Sequence, residues 1–407
     1  MTTRVSRRSL LQASGLTLVP SFLARAAEQV PGGRRRVLFT LFLRGGVDGL
    51  ALVPPVGDAD YHRARPTLAL PASGEGAALR LDDTFGLHPG LAPLMPLWSG
   101  GSLAVVHAVG LPQAVRGHFD AQDFIETGAP GVRSLRDGYL NRALAGLPPE
   151  RPDTFRAVAL QSTLPRALSG PEAALAVGSL ADFRWRDTRR GASFAALYAG
   201  AVDEALRTTG AEANEALSLV ADQRLAAMAP ANGAEYPRAP VGRSLQDIAR
   251  LIRADVGLRV ATADMGGWDT HVGQGSVDGP FAARARELGE ALGAFVQDLG
   301  PRFEDVLVVV MSEFGRTVKE NGNRGTDHGT GGAMLVLGGG VRGGRVAGPW
   351  KGLAPGNLLE ERDVPSLTDY RAVLSEALEG HLGVRTLASV FPGFHVVPEA
   401  RLRLLGA

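Results

Sequence analysis

The chain has no cysteine. That single absence excludes disulfides, thiolate zinc sites and iron–sulfur ligation. Any bound metal must be held by histidine, carboxylate or backbone oxygen, which favours borderline to hard cations. Charge of one sign is also missing: the formal net charge is +1 over 407 residues. There is accordingly no case for nucleic-acid binding. No segment has the length and apolarity of a stable membrane span. No G-x-S-x-G elbow is present to display a serine nucleophile, which argues against a serine hydrolase. No internal repeat was found, so one large α/β domain is the economical expectation.

What is present begins with an address. Ser6-Arg7-Arg8-Ser9-Leu10-Leu11 matches a twin-arginine export signal, followed by a charge-free stretch to Ala24 and an Ala24-Arg25-Ala26 cleavage site. Residues 1–26 are therefore expected to be a signal peptide read by the twin-arginine machinery. The mature chain is expected to be periplasmic or secreted, and exported already folded.

The most informative segment is Asp305–Gly331 with the apolar run behind it. Val306–Ser312 reads as a buried parallel strand, and Ala333–Leu337 as the next strand. Glu313 leaves the first, and His328 stands just before the second. Ligands of open α/β sheets bind beyond the carboxyl ends of strands, so this is the place to expect a metal or catalytic site. Other strand candidates are Val37–Leu43, Leu103–Val109, Ala157–Leu160, Ala174–Val177 and Leu258–Ala263. Helical periodicity is clearest at Ser193–Arg207, Ala211–Met228 and Phe281–Leu299, with shorter cases at Ser244–Ala254 and Tyr370–His381. Alternating strands and helices predict a three-layer α/β sandwich with a mostly parallel central sheet over residues 35–407, carrying a helical insertion at about 185–253.

Asp48, the Asp269/His271 pair, Glu313 and His328 each fall at a strand end. Divalent cations are bound by such groups converging from separate strands. All five are candidate metal ligands, although Asp48 in a G-G-V-D-G turn could equally serve that turn. Glu313 could instead pair with Arg316. A further cluster, Arg116-Gly117-His118-Phe119-Asp120, opens a helix after the Leu103 strand. Free amides and the helix dipole at such a start favour an anion. Arg116 is the candidate oxyanion binder, and His118 the candidate nucleophile or proton carrier.

These signatures resemble a family of twin-arginine-exported bacterial proteins known as domain of unknown function 1501. They are L-R-G-G-V-D-G at 43–49, H-F-D-A-Q-D at 118–123, G-G-W-D-T-H at 266–271, S-E-F-G-R-T at 312–317 and D-H-G-T-G-G at 327–332. The family is grouped with the alkaline phosphatase-like superfamily, which includes sulfatases and phosphoglycerate mutases. The resemblance implies an alkaline phosphatase-like fold and hydrolysis of phosphate or sulfate esters with one or two divalent ions, zinc, manganese or calcium. The substrate it implies is a small or polymeric anionic ester. Several departures stand out. The usual serine or threonine nucleophile is replaced at Gly117-His118, Glu313-Phe314 stands where Asp-His is common, and the D-T-H spacing is tight. These leave His118 or a metal-activated water as the attacking group. The rival expectation is a non-catalytic extracytoplasmic binding protein on the same fold.

Overall fold

The computed structural model describes residues 35–147, 155–182 and 225–406, with isolated positions between 207 and 220. The export signal expected at residues 1–26 lies outside the described residues, as does about half of the helical insertion expected at about 185–253, all of it before residue 225.

The core is a nine-stranded sheet. Its strands are β1 (Val37–Leu43), β2 (Leu103–Gly110), β3 (Ala157–Ala159), β4 (Leu175–Ala176), β5 (Val260–Met265), β6 (Val306–Met311), β7 (Gly332–Gly338), β8 (Arg345–Ala347) and β9 (Thr368–Asp369). The spatial order is β8-β2-β7-β6-β1-β5-β3-β4, with β9 also paired to β2. Every pairing is parallel except those of β7, which runs antiparallel to both β2 and β6. A large, mostly parallel central sheet is thus observed as expected.

Why β1 sits in the middle is plain from its sequence. All seven residues of VLFTLFL are buried, and near-continuous apolar runs are the mark of strands covered on both faces. Alternate side chains serve opposite layers. Phe39, Leu41 and Leu43 pack with Leu245 and Ile248 of helix α4 (Pro240–Arg253) and with Leu288, Leu292 and Phe295 of helix α5 (Pro280–Leu299). Leu38 and Phe42 join the opposite cluster, which contains Phe124 and Ile125 of helix α2 (His118–Thr127), Leu140 of helix α3 (Tyr139–Ala145) and Leu374 of helix α6 (Tyr370–Glu376). Each such side chain contributes about 1.5–3 kcal/mol on burial, so the two apolar faces fix the three layers.

The reversal of β7 positions the site. An antiparallel neighbour begins where the parallel strand before it ends, so residues 312–331 never leave the carboxyl edge. Glu313, at the exit of β6, and His328, before β7, therefore share that edge with the exits of β1, β2 and β5. No helix among the described residues is long and apolar enough to cross a membrane.

Candidate metal centre

Asp269 and His271 leave β5 two residues apart, flanking Thr270, which is buried and hydrogen-bonds Gln274. The carboxylate of Asp269 becomes the hub. One oxygen lies 3.0 Å from His271 Nε2 and 3.2 Å from His328 Nε2. The other lies 3.5 Å from His118 Nε2. His118, Asp269 and His328 present ligand atoms within 4.8 Å of one another. Each comes from a different strand connection: β2 to α2, the exit of β5, and the loop into β7.

The far nitrogen of every ring is tied to an acceptor. His118 Nδ1 donates to Glu313 at 2.8 Å, His328 Nδ1 to the Arg116 carbonyl at 2.7 Å, and His271 Nδ1 to Asp327 at 3.2 Å. A carbonyl or carboxylate can only accept, so the Nδ1 proton is assigned in all three rings and the Nε2 of each neutral ring is a bare lone pair. Those lone pairs converge. His118 Nε2 is a buried atom with no hydrogen-bond partner, and His271 Nε2 faces His328 Nε2 at 2.9 Å. Lone pairs do not face each other at that distance without a cation or a proton between them. Ligating histidines characteristically have their second nitrogen anchored by a carboxylate or carbonyl, and here all three do. The residues fit a divalent cation.

Electrostatics agree with the geometry. Burial would raise the Asp269 carboxyl, but the hydrogen bond and charge of Arg316, with His328 and His271, bring it down to about 2. Burial pushes the His328 imidazole below its ordinary value, against the hydrogen bond to the Arg116 carbonyl. Asp327 is held below the usual carboxylate range chiefly by its hydrogen bond from Asn321, with His271 adding to it. At neutral pH these groups are in the protonation states that bind metal.

Arg316 holds the cluster's floor. Fully buried, it donates to Asp269 (2.6 Å), to the carbonyls of Gly46 (2.6 Å) and Thr326 (2.9 Å), and to the Gly45 carbonyl. Gly45 has φ +119°, and a Cβ there would lie 2.7 Å from the Asp269 amide. A side chain at that position would push the β1 and β5 exits apart.

Of the candidates read from sequence, His118, Asp269 and His328 are brought together as one possible ligand set, with His271 beside Asp269 and His328 as a fourth donor. Glu313 stands one step behind. Its fully buried side chain accepts from Gly45 N, His118 Nδ1, Gln122 Nε2 and Ser312 Oγ at 2.8–2.9 Å, and it orients His118. Burial raises its pKa, but the hydrogen bonds from Gln122 and His118, among others, leave it lowered. It does not pair with Arg316. Asp48 is placed apart. Both its oxygens are taken by Arg65 (2.6 and 3.0 Å), Gln274 (2.6 Å) and the Leu50 amide (3.2 Å). Those four contacts use the acceptor sites of a carboxylate, and both Asp48 and Arg65 are fully buried. The Arg116 guanidinium is turned to Asp363 (2.9 Å) and Glu360 (2.7 Å); what it gives the site is its carbonyl. Sequence reasoning singled out neither Asp327 as an anchor nor Arg316 as the hub's counter-ion. Their place in D-H-G and E-F-G-R, beside candidate ligands, was the available signal.

The amides of His118, Phe119 and Asp120, the first three of α2, make no hydrogen bond among the described residues; the first backbone bond there is Ala121 to Gly117. Side-chain exposures of 39% for His271 and 47% for Asp269 leave one side of the cluster open to solvent.

The fold and this cluster define a mixed α/β protein with a histidine-rich candidate metal centre at the carboxyl edge of its sheet. The family model described as "Protein of unknown function (DUF1501)" matches residues 98–389, well over half of the chain, and the chain belongs to that family. Among solved structures, it is similar to one titled as the C-terminal periplasmic domain of EcEptC from Escherichia coli, in complex with Zn. The identity is 11% and the TM-score 0.34, over 75% of this chain and 74% of that one. At that score the two are only loosely alike, and no role passes from one to the other. No curated protein matches.

Proposed function

We propose that this protein is an exported, metal-dependent hydrolase of phosphate or sulfate esters, of the alkaline phosphatase-like superfamily, delivered to the periplasm or beyond by the twin-arginine machinery. The observation that carries the reading is the convergence of three anchored imidazole lone pairs on one solvent-accessible carboxylate. His118, His271, His328 and Asp269 would hold one cation. Nitrogen-rich ligation favours zinc, and disfavours calcium, which takes oxygen ligands. When bound, the ion would polarise an ester oxygen and activate water at neutral pH.

The chain's own groups supply the rest. The free amides of His118, Phe119 and Asp120 would receive an anionic head group. Glu313, Asp327 and the Arg116 carbonyl hold the Nδ1 protons and so the orientation of each ring. No serine or threonine takes part in the cluster, which leaves water as the attacking group and assigns His118 to the metal rather than to nucleophilic attack.

One observation favours the rival. Three imidazoles and a carboxylate would supply four protein ligands, the number typical of closed structural zinc sites. That reading is an extracytoplasmic binding protein with a structural ion.

The test is elemental analysis of the protein purified without chelator, beside His328→Ala, followed by a panel of aryl phosphates and sulfates. About one equivalent of zinc, lost in the variant, together with metal-dependent turnover supports the hydrolase. Metal without turnover across both ester classes favours the binder. No metal in folded protein sinks both.

A further inference from the structure

The two most exposed large apolar side chains among the described residues are Phe119, 91% exposed, and Val272, 69% exposed. Each directly follows a histidine of the cluster: Phe119 follows His118, and Val272 follows His271. Phe119 is also the one aromatic among the exposed large hydrophobics of the described residues. The other aromatics near the cluster have packing partners. Phe314 lies against His118 and His328, and Trp268 against Phe281. Scattered apolar residues on a surface need no explanation. Two that each directly follow a histidine of the candidate metal centre in the chain call for one.

Resting on the hydrolase reading above, we infer that Phe119 and Val272 form an apolar rim that receives the hydrocarbon part of the ester. The substrate class is then an ester whose leaving group carries an apolar face, such as an aryl or alkyl phosphate or sulfate. Phe119 brings two features to such recognition: its amide is one of the three unpaired amides at the start of α2, and its exposed ring is a flat apolar face. An aryl or alkyl group would cover that face and release its water.

The experiment compares phenyl phosphate with methyl phosphate on zinc-loaded protein, by calorimetric binding and by turnover. It uses wild type, Phe119→Ser, Val272→Ser and a control, Val397→Ser, which is an exposed position outside the cluster. The expected result is a phenyl-to-methyl preference in binding that falls about tenfold or more in Phe119→Ser. It should fall less in Val272→Ser and not at all in the control. Zinc content, measured alongside, separates loss of the rim from loss of the ion. An unchanged preference in both rim variants overturns the inference, as does a wild type that binds the two esters equally. The same holds if the rim variants alter only self-association in sedimentation, since the rim would then be a contact between copies. Absence of turnover with the binding preference intact would defeat the hydrolase reading while leaving the rim as a ligand-recognition surface.

Discussion

The Nε2 atoms of His271 and His328 face each other at 2.9 Å, while the Nδ1 of each ring already donates elsewhere, to Asp327 and to the Arg116 carbonyl. The pair is arranged to share something positive. Because the anchors decide which nitrogen carries the proton, they govern affinity for the ion although they never touch it.

Asp327→Ala should therefore weaken zinc binding by about 10–100-fold. Its side chain is 54% exposed, so the metal-free variant should melt close to wild type. Competition titration against a chromophoric chelator measures the affinity, and unaltered affinity would remove Asp327 from the site.

Asp48 and Arg65 are a fully buried ion pair. Asp48→Ala leaves the guanidinium buried and uncompensated, which costs about 3–5 kcal/mol of stability. The folded fraction should keep its zinc. Denaturant titration with metal analysis decides between two roles, because lost metal with stability retained would make Asp48 a ligand after all.

Arg316→Lys should be poorly tolerated. A lysine carries one ammonium where the guanidinium fork now reaches Asp269, Gly46 and Thr326 at once. Buried acceptors left unpaired cost about 1–3 kcal/mol each. With the guanidinium hydrogen bond weakened, Asp269 should also titrate above its present value of about 2, so zinc should dissociate at a higher pH than in wild type. A melting temperature and a zinc-release profile equal to wild type would contradict this.

Stability should fall in acid for a reason remote from the site. Burial depresses both His107 and His381 to about 4, against hydrogen bonds to the carbonyls of Val53 and Val37. A histidine whose folded pKa lies below its unfolded value contributes stability at high pH that is lost as pH falls from about 6.5 to about 4, because the unfolded chain binds the proton first. The loss is about 3 kcal/mol per ring by pH 4. Metal-free protein titrated with urea at pH 7 and pH 4.5 should show the decline, and His381→Gln should reduce it.

Much of this was legible in the sequence because burial on both faces writes itself as unbroken apolar runs. Val37–Leu43 matched its strand at both ends, and Val306–Ser312 was one residue long. Helix α4 began four residues before the expected Ser244, at Pro240, which fits the first turn of a helix. The direction of β7 was not legible, since a short apolar run carries no sign of its orientation. At the site, strand-end placement identified the cluster's members but not the shell each occupies. A carboxylate reads the same whether it meets a cation, an imidazole or a guanidinium. Arg65, which claims Asp48, is separated from it by two short helices and the loop between them, and Gln122 and Glu313 meet across 191 residues. Only tertiary packing makes those choices.

The reversed strand also bears on how the molecule is assembled in time. β6 and β7 are consecutive in sequence and pair directly, so the connection bearing Glu313 and His328 closes over a short stretch of chain. β1, by contrast, must find β5 and β6 across more than two hundred residues, as in the pairings Leu38 to Val260 and Val37 to Val306. Closing longer loops costs more entropy and slows folding. His328 and Glu313 are thus expected to be in place before His118, Asp269 and His271 arrive, since β2 must also find β7 across more than two hundred residues. Pulsed hydrogen exchange should protect Val306–Gly338 before Val260–Met265, and the reverse order would refute it. On the proposed reading, zinc binding would then report the last long-range closure, and a chain halted short of it would hold His328 without the other three groups of the cluster.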